Sequence, residues 1–114
     1  MQLPWHYAEP RGKLLLAHMG NIAAGCVAVR PLSVTDCEMR RLYVRPAYRS
    51  AGVGRKLIEQ VITSAHEVGY DRMLLNTLPA MSHALALYRR LGFRDTDPYV
   101  KEPSSGVIYL AFAL

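Results

Sequence analysis

Gly52 and Gly54 sit within the stretch Arg49-Ser50-Ala51-Gly52-Val53-Gly54-Arg55, directly ahead of an amphipathic segment. At a helix start the first N–H groups lack intrahelical partners and the macrodipole is positive, while glycine lets a ligand approach the backbone closely. Such a loop is an anion cradle of the kind that holds phosphate. It is not the nucleotide-binding P-loop, because no Lys-Ser or Lys-Thr follows the last glycine, and it lacks the dinucleotide spacing G-x-G-x-x-G. The same residues also suit a helix whose first turn carries glycines for packing. The loop by itself leaves both readings open.

Other reactive side chains point to less. Cys26 and Cys37 form no C-x-x-C, and His6, His18, His66 and His83 show no spacing such as H-E-x-x-H, so no metal is expected. The first residues lack a charged and then apolar leader, which implies a reducing cytoplasm and free thiols. With 14 Lys and Arg against 9 Asp and Glu, the net charge is +5, which favours an anionic partner. The cations are scattered arginines without a run of five or six, which argues against nucleic acid. At 51% hydrophobic and 20% charged residues, the chain is too apolar for disorder and too evenly interrupted for a membrane span.

The elements that must position this loop follow from periodicity. The 114 residues suit a single domain, 1–114, with an irregular arm over 1–12 that carries Trp5, His6 and Tyr7. Apolar runs at 13–18 and 22–30, joined through Gly20, predict a hairpin. A third strand is predicted over 36–44, with Cys37, Met39, Arg41 and Tyr43 on one face and Glu38, Arg40, Leu42 and Val44 on the other. That parity sets Tyr43 against the helix layer, opposite to Glu38. A helix over 52–68 presents Val53, Leu57, Ile58, Val61, Ile62 and Ala65 as one stripe and stops at Gly69. A buried strand over 72–77 follows, making a β-α-β crossover, and then a second helix after Pro79 that ends at Gly92. Strands over 93–99 and 107–113 close the chain.

Arg49-x-x-Gly52-x-Gly54 after a strand resembles the hallmark of the GNAT superfamily of acyl-CoA-dependent N-acetyltransferases, and the likeness extends over CEMRRLYVRPAYR (37–49) and ALALYRRLGF (84–93). It is similar in particular to small stand-alone bacterial members. The resemblance implies a mixed, largely antiparallel α/β sheet with helices on its faces and one parallel crossover. It implies acetyl-CoA as acyl donor, with Leu42, Tyr43 and Val44 along the pantetheine, and Arg49, Ser50, Ala51, Gly52, Val53, Gly54 and Arg55 around the pyrophosphate. Asn76 and Ser82 are further cofactor contacts by position.

The family's position for a catalytic base falls on Glu38, and its general-acid tyrosine falls on Tyr88. The chemistry asks for both, since an alkyl ammonium with a pKa of about 10.4 must lose a proton and the leaving thiolate must gain one. The competing readings are a strand glutamate paired with Arg40 and a tyrosine packed on the Ala84, Leu87, Leu91 stripe. The hairpin begins near residue 13, so the family's usual first strand and first helix pair are not expected. That leaves a sheet edge open and predicts a homodimer. The expected activity is direct acetyl transfer to a primary amine, with a non-catalytic CoA-binding module as the alternative.

Overall fold

In the hairpin formed by β1 (Lys13–Met19) and β2 (Ile22–Pro31), the chain reverses at Gly20 and Asn21, where Gly20 takes φ 64°. The computed structural model describes residues 12–114. After β3 (Asp36–Val44) and a single 3-10 turn (Pro46–Tyr48) come α1 (Val53–Val68), β4 (Arg72–Thr77), α2 (Ser82–Leu91), β5 (Arg94–Asp95) and β6 (Ile108–Ala113). These strands form one sheet in the order β1-β2-β3-β4-β6-β5. Every neighbouring pair is antiparallel except β3 and β4, which run parallel because α1 carries the chain across between them.

Helix α1 forms where the apolar period of the sequence demands it. Val53, Leu57, Ile58, Val61 and Ala65 are buried on one side, and Ile58 and Val61 are fully enclosed. They meet Val27 and Val29 of β2, Cys37 and Met39 of β3, and Met73 and Leu75 of β4 in one core. Enclosing each such aliphatic side chain stabilises the fold by about 1.5–3 kcal/mol. Both helices stop at a glycine in the left-handed region, Gly69 at φ 103° and Gly92 at φ 114°. There the glycine N–H satisfies carbonyls of the last turn.

Three expectations need correction. Helix α1 begins at Val53 rather than Gly52, because Gly52 lies at φ 81° and acts as the cap residue. The strand expected over 93–99 shrinks to Arg94–Asp95. Thr96 N–H still reaches the Tyr109 carbonyl at 2.9 Å, but Pro98 has no N–H to continue a ladder.

The third correction is at Arg41, which lies at φ 57°. Cys26 is level with Tyr43 but Ala28 with Arg40, so Arg41 and Leu42 together oppose Val27 in a β-bulge. The extra residue reverses the alternation beyond it. Leu42 and Val44 therefore pack against the core, whereas Tyr43 is 51% exposed. The expected placement of Tyr43 against the helix layer, opposite to Glu38, is overturned for this reason.

Cys26 and Cys37 form no disulfide and lie opposite different residues, Tyr43 and Pro31. Trp5, His6 and Tyr7 lie outside the described residues. No helix among the described residues is long and apolar enough to cross a membrane.

Candidate active site

The parallel ladder between β3 and β4 holds three pairs, Asp36 with Arg72, Cys37 with Met73 and Glu38 with Leu74. Beyond Glu38 and Leu74 the strands run on to Val44 and Thr77 without pairing, so they part at their C-terminal ends. A fork of this kind exposes backbone donors and acceptors on both strands. In open α/β sheets it is the C-terminal ends of parallel strands, beside the following helix, that receive ligands.

The glycine loop lies at that end. Ser50 at φ 73° and Gly52 at φ 81° turn the chain twice through the left-handed region before α1 starts. The first intrahelical bond runs from Lys56 N–H to the Gly52 carbonyl at 3.1 Å, which leaves Val53, Gly54 and Arg55 N–H without intrahelical acceptors. No acidic side chain occupies this first turn. Arg49 fixes the loop's entry, its Nε donating to the Val44 carbonyl at 3.0 Å while its guanidinium sits 5.8 Å from the Tyr43 ring centre. A Cβ on Gly52 would meet nothing within 4 Å, so the space in front of this cap is open. At Gly54 a Cβ would stand 3.6 Å from Val44 and 3.8 Å from Leu87, which shows how β3, α1 and α2 converge on the loop.

Glu38 is enclosed, 2% exposed, on the face of β3 away from Cys37 and Met39. Its Oε1 accepts from Arg30 Nε at 2.8 Å and lies 3.7 Å from Arg40 Nε. Its Oε2 accepts from Tyr99 Oη at 2.5 Å and from Asn76 Nδ2 at 3.5 Å. Asn76 also donates to Tyr99 Oη at 3.2 Å. The Asn76 side chain, anticipated as a cofactor contact, is thus engaged in holding Glu38 and Tyr99. Ser82 opens α2 and is exposed.

Tyr99 and Arg30 were not legible as site residues. Tyr99 lies 61 positions from Glu38, on a segment without regular structure, and no local pattern announces such a contact. Burial, together with the hydrogen bond to Glu38, pushes the Tyr99 phenol above its ordinary range, so it carries its proton at neutral pH. Its ring packs edge-on against Tyr109, with centres 5.5 Å apart.

Tyr88 is the one buried residue of α2, 7% exposed, and packs against Phe93 with ring centres 5.8 Å apart. Burial pushes its phenol up to about 12. It takes no hydrogen bond among the described residues, yet no side-chain polar atom there is enclosed without a partner, so its hydroxyl oxygen is not sealed from solvent. The reading of Tyr88 as core packing therefore holds for the ring and leaves the hydroxyl available. His83 is exposed at the start of α2.

Residues 10–95 match the family model described as an acetyltransferase (GNAT) domain. The chain belongs to the GNAT acetyltransferase family. It is 40% identical over 106 residues to an uncharacterized N-acetyltransferase of Schizosaccharomyces pombe, covering 91% of this chain and 65% of that protein. It is 31% identical to the IAA acetyltransferase of Azospirillum brasilense, covering 81% of this chain and 61% of that one. The chain thus spans less than two thirds of the length of these curated relatives. Among solved structures, a GNAT family acetyltransferase from Elizabethkingia anophelis with acetyl-CoA bound superposes with a TM-score of 0.78 at 26% identity, covering 91% of this chain and 77% of that one. A putative acyl-CoA N-acyltransferase from Klebsiella pneumoniae superposes with a TM-score of 0.86 over 99% of this chain and 77% of its own, at 24% identity. The mixed α/β fold read from the sequence is the fold of this family.

Proposed function

We propose that this chain transfers an acetyl group from acetyl-CoA directly to a primary amine. The observation that carries the reading is the parting of β3 and β4 beyond Glu38 and Leu74, next to the free N–H groups that open α1. In this reading Leu42, Tyr43 and Val44 line the pantetheine arm with their backbone, and residues 49–55 hold the pyrophosphate on the amides of Val53, Gly54 and Arg55. The open space before Gly52 fits a phosphate, and the Elizabethkingia anophelis relative was crystallised with acetyl-CoA.

The bound thioester supplies an acyl carbon open to attack by an amine. Two groups of the chain then manage protons from opposite faces of the fork. Tyr88 projects from the core side, and its phenol keeps its proton until a thiolate needs one. Glu38 stands at the last position of β3 paired with β4, from the other face, as the base that receives the amine's proton.

Calorimetric titration with acetyl-CoA, followed by initial rates with a panel of amino acids, polyamines, aminoglycosides and peptide N-termini, tests the reading. Saturable binding with turnover of at least one amine is expected. Binding without turnover would leave a CoA-binding module, and no binding by the folded chain would overturn both. The reading also includes a homodimer through β1, which ends the sheet order and carries the exposed Leu16 and Met19. A monomeric mass by light scattering at micromolar concentration would overturn that part alone.

A further inference from the structure

The carboxylate of Glu38 is enclosed by side chains against both of its oxygens. A carboxylate offers about four lone-pair sites. Arg30 Nε at 2.8 Å and Arg40 Nε at 3.7 Å lie against Oε1, while Tyr99 Oη at 2.5 Å and Asn76 Nδ2 at 3.5 Å lie against Oε2. The Glu38 side chain is 3% exposed. Asn76 is exposed and Tyr99 half-buried, while the Arg30 and Arg40 side chains are 32% and 40% exposed, so an amine outside the cluster meets one of these four groups before Glu38, and the two cations repel an ammonium from the Oε1 side.

Tyr99 Oη has one hydrogen and two lone pairs. The hydrogen goes to Glu38, and one lone pair accepts from Asn76 at 3.2 Å. One lone pair is left over among the hydrogen bonds of the described residues. From this geometry we infer that Tyr99 is the proton relay of the acetyl transfer: its oxygen takes the proton from the ammonium of the acceptor as its own proton passes to Glu38 Oε2. The inference rests on Glu38 being the base.

The step balances. The ammonium loses one proton through Tyr99 to Glu38 and becomes a neutral nucleophile. Its nitrogen forms the bond to the acyl carbon, the carbon–sulfur bond breaks, and the sulfur takes the proton of Tyr88. The second proton leaves the nitrogen as the amide forms and restores Tyr88 through solvent. Glu38 returns its proton outward through Tyr99. Among the described residues, the charges facing Glu38 are Arg30 from β2 and Arg40 from β3, and β4 contributes the neutral Asn76.

The test compares wild type, Tyr99→Phe, Glu38→Gln and the double variant, with acetyl-CoA and the best amine of the panel. Acetyl-CoA affinity is read by calorimetry, alongside the split between kcat and amine KM. A protein carrying 3-fluorotyrosine at position 99 keeps the fold and the hydrogen bond while acidifying the phenol. The relay predicts unchanged acetyl-CoA affinity in every variant, and kcat down by about 100-fold or more in each single variant. The double variant should be no worse than the worse single, because both act on one proton. A changed kcat in the fluorinated protein supports the relay, since packing alone does not respond to phenol acidity. An unchanged kcat in the fluorinated protein, or Tyr99→Phe within threefold of wild type while Glu38→Gln is impaired, overturns the relay and leaves Glu38 as base. Glu38→Gln at the wild-type rate overturns both. Absence of any turnover by wild type removes the enzyme reading, and the relay falls with it.

Discussion

Glu38 and Leu74 are the last pair held in register between the parallel strands β3 and β4. Both side chains lie on the face away from the Cys37 and Met73 core positions, one residue before the strands part. The end of a ladder is where backbone groups become available, and here it coincides with a buried carboxylate.

Gly52 tests the cradle. Its φ of 81° favours glycine, but a Cβ there would meet nothing within 4 Å. Gly52→Ala should cost about 1 kcal/mol of stability through the backbone alone and bind acetyl-CoA. Gly52→Asp places a negative charge before the free N–H groups and should abolish measurable binding in calorimetry. Normal binding by a folded Gly52→Asp protein would count against the pyrophosphate site.

Tyr88→Phe keeps the ring that packs against Phe93 and removes only the hydroxyl. Turnover should fall by about 100-fold or more with acetyl-CoA affinity nearly unchanged. Because burial pushes the phenol up to about 12, Tyr88 stays protonated throughout the neutral range. No loss of rate on the alkaline side of neutral should therefore trace to it. A rate profile that falls with an ordinary phenol pKa of about 10 in wild type, and not in Tyr88→Phe, would contradict this.

Gly25 lies beneath the bulge. A Cβ there would stand 2.6 Å from the Tyr43 carbonyl oxygen and 3.3 Å from Val44 Cα, both backbone atoms. Gly25→Ala must push β3 away just where it opens toward the ligand. We expect a loss of about 1–3 kcal/mol in urea denaturation, together with weaker acetyl-CoA binding. Equal stability of the two proteins would show that β3 yields there without strain.

Asp36 and Arg72 face each other across the first pair of the β3 and β4 ladder, with Arg72 Nη2 to Asp36 Oδ2 at 2.8 Å. The hydrogen bond from Arg72, aided by its charge, lowers the Asp36 carboxyl below its ordinary value of 3.8 despite partial burial. A lowered folded-state value means stabilisation that is present above the unfolded value and lost as pH falls through the folded one. Asp36→Asn should therefore be less stable than wild type near neutrality, by about 0.2–1 kcal/mol for a partly exposed pair. The two should converge as pH falls from the ordinary value of 3.8 through the lowered folded-state one, as followed by thermal unfolding across pH. A constant difference down to pH 2 would assign the effect to something other than ionisation.

What the sequence by itself determined was local and periodic. The stripe on α1 from Val53 to Ala65, the glycine stops at Gly69 and Gly92, and the loop ahead of α1 all rest on contacts within a few residues, and each is present in the structure. The crossover between β3 and β4 also followed, since two buried strands separated by one helix pair in parallel. Tertiary structure decided what depends on a neighbour far along the chain. Tyr43 changed faces because the ladder with β2 slips at Val27, and period-2 alternation cannot foresee an extra residue taken up by a partner strand. The expected strand over 93–99 ended at Asp95, which freed the following segment to carry Tyr99 across to β3. The surroundings of Glu38 come from β2, β3, β4 and that segment together. Burial of a charge is tolerated only when several distant groups arrive at once, and only the folded chain brings them there.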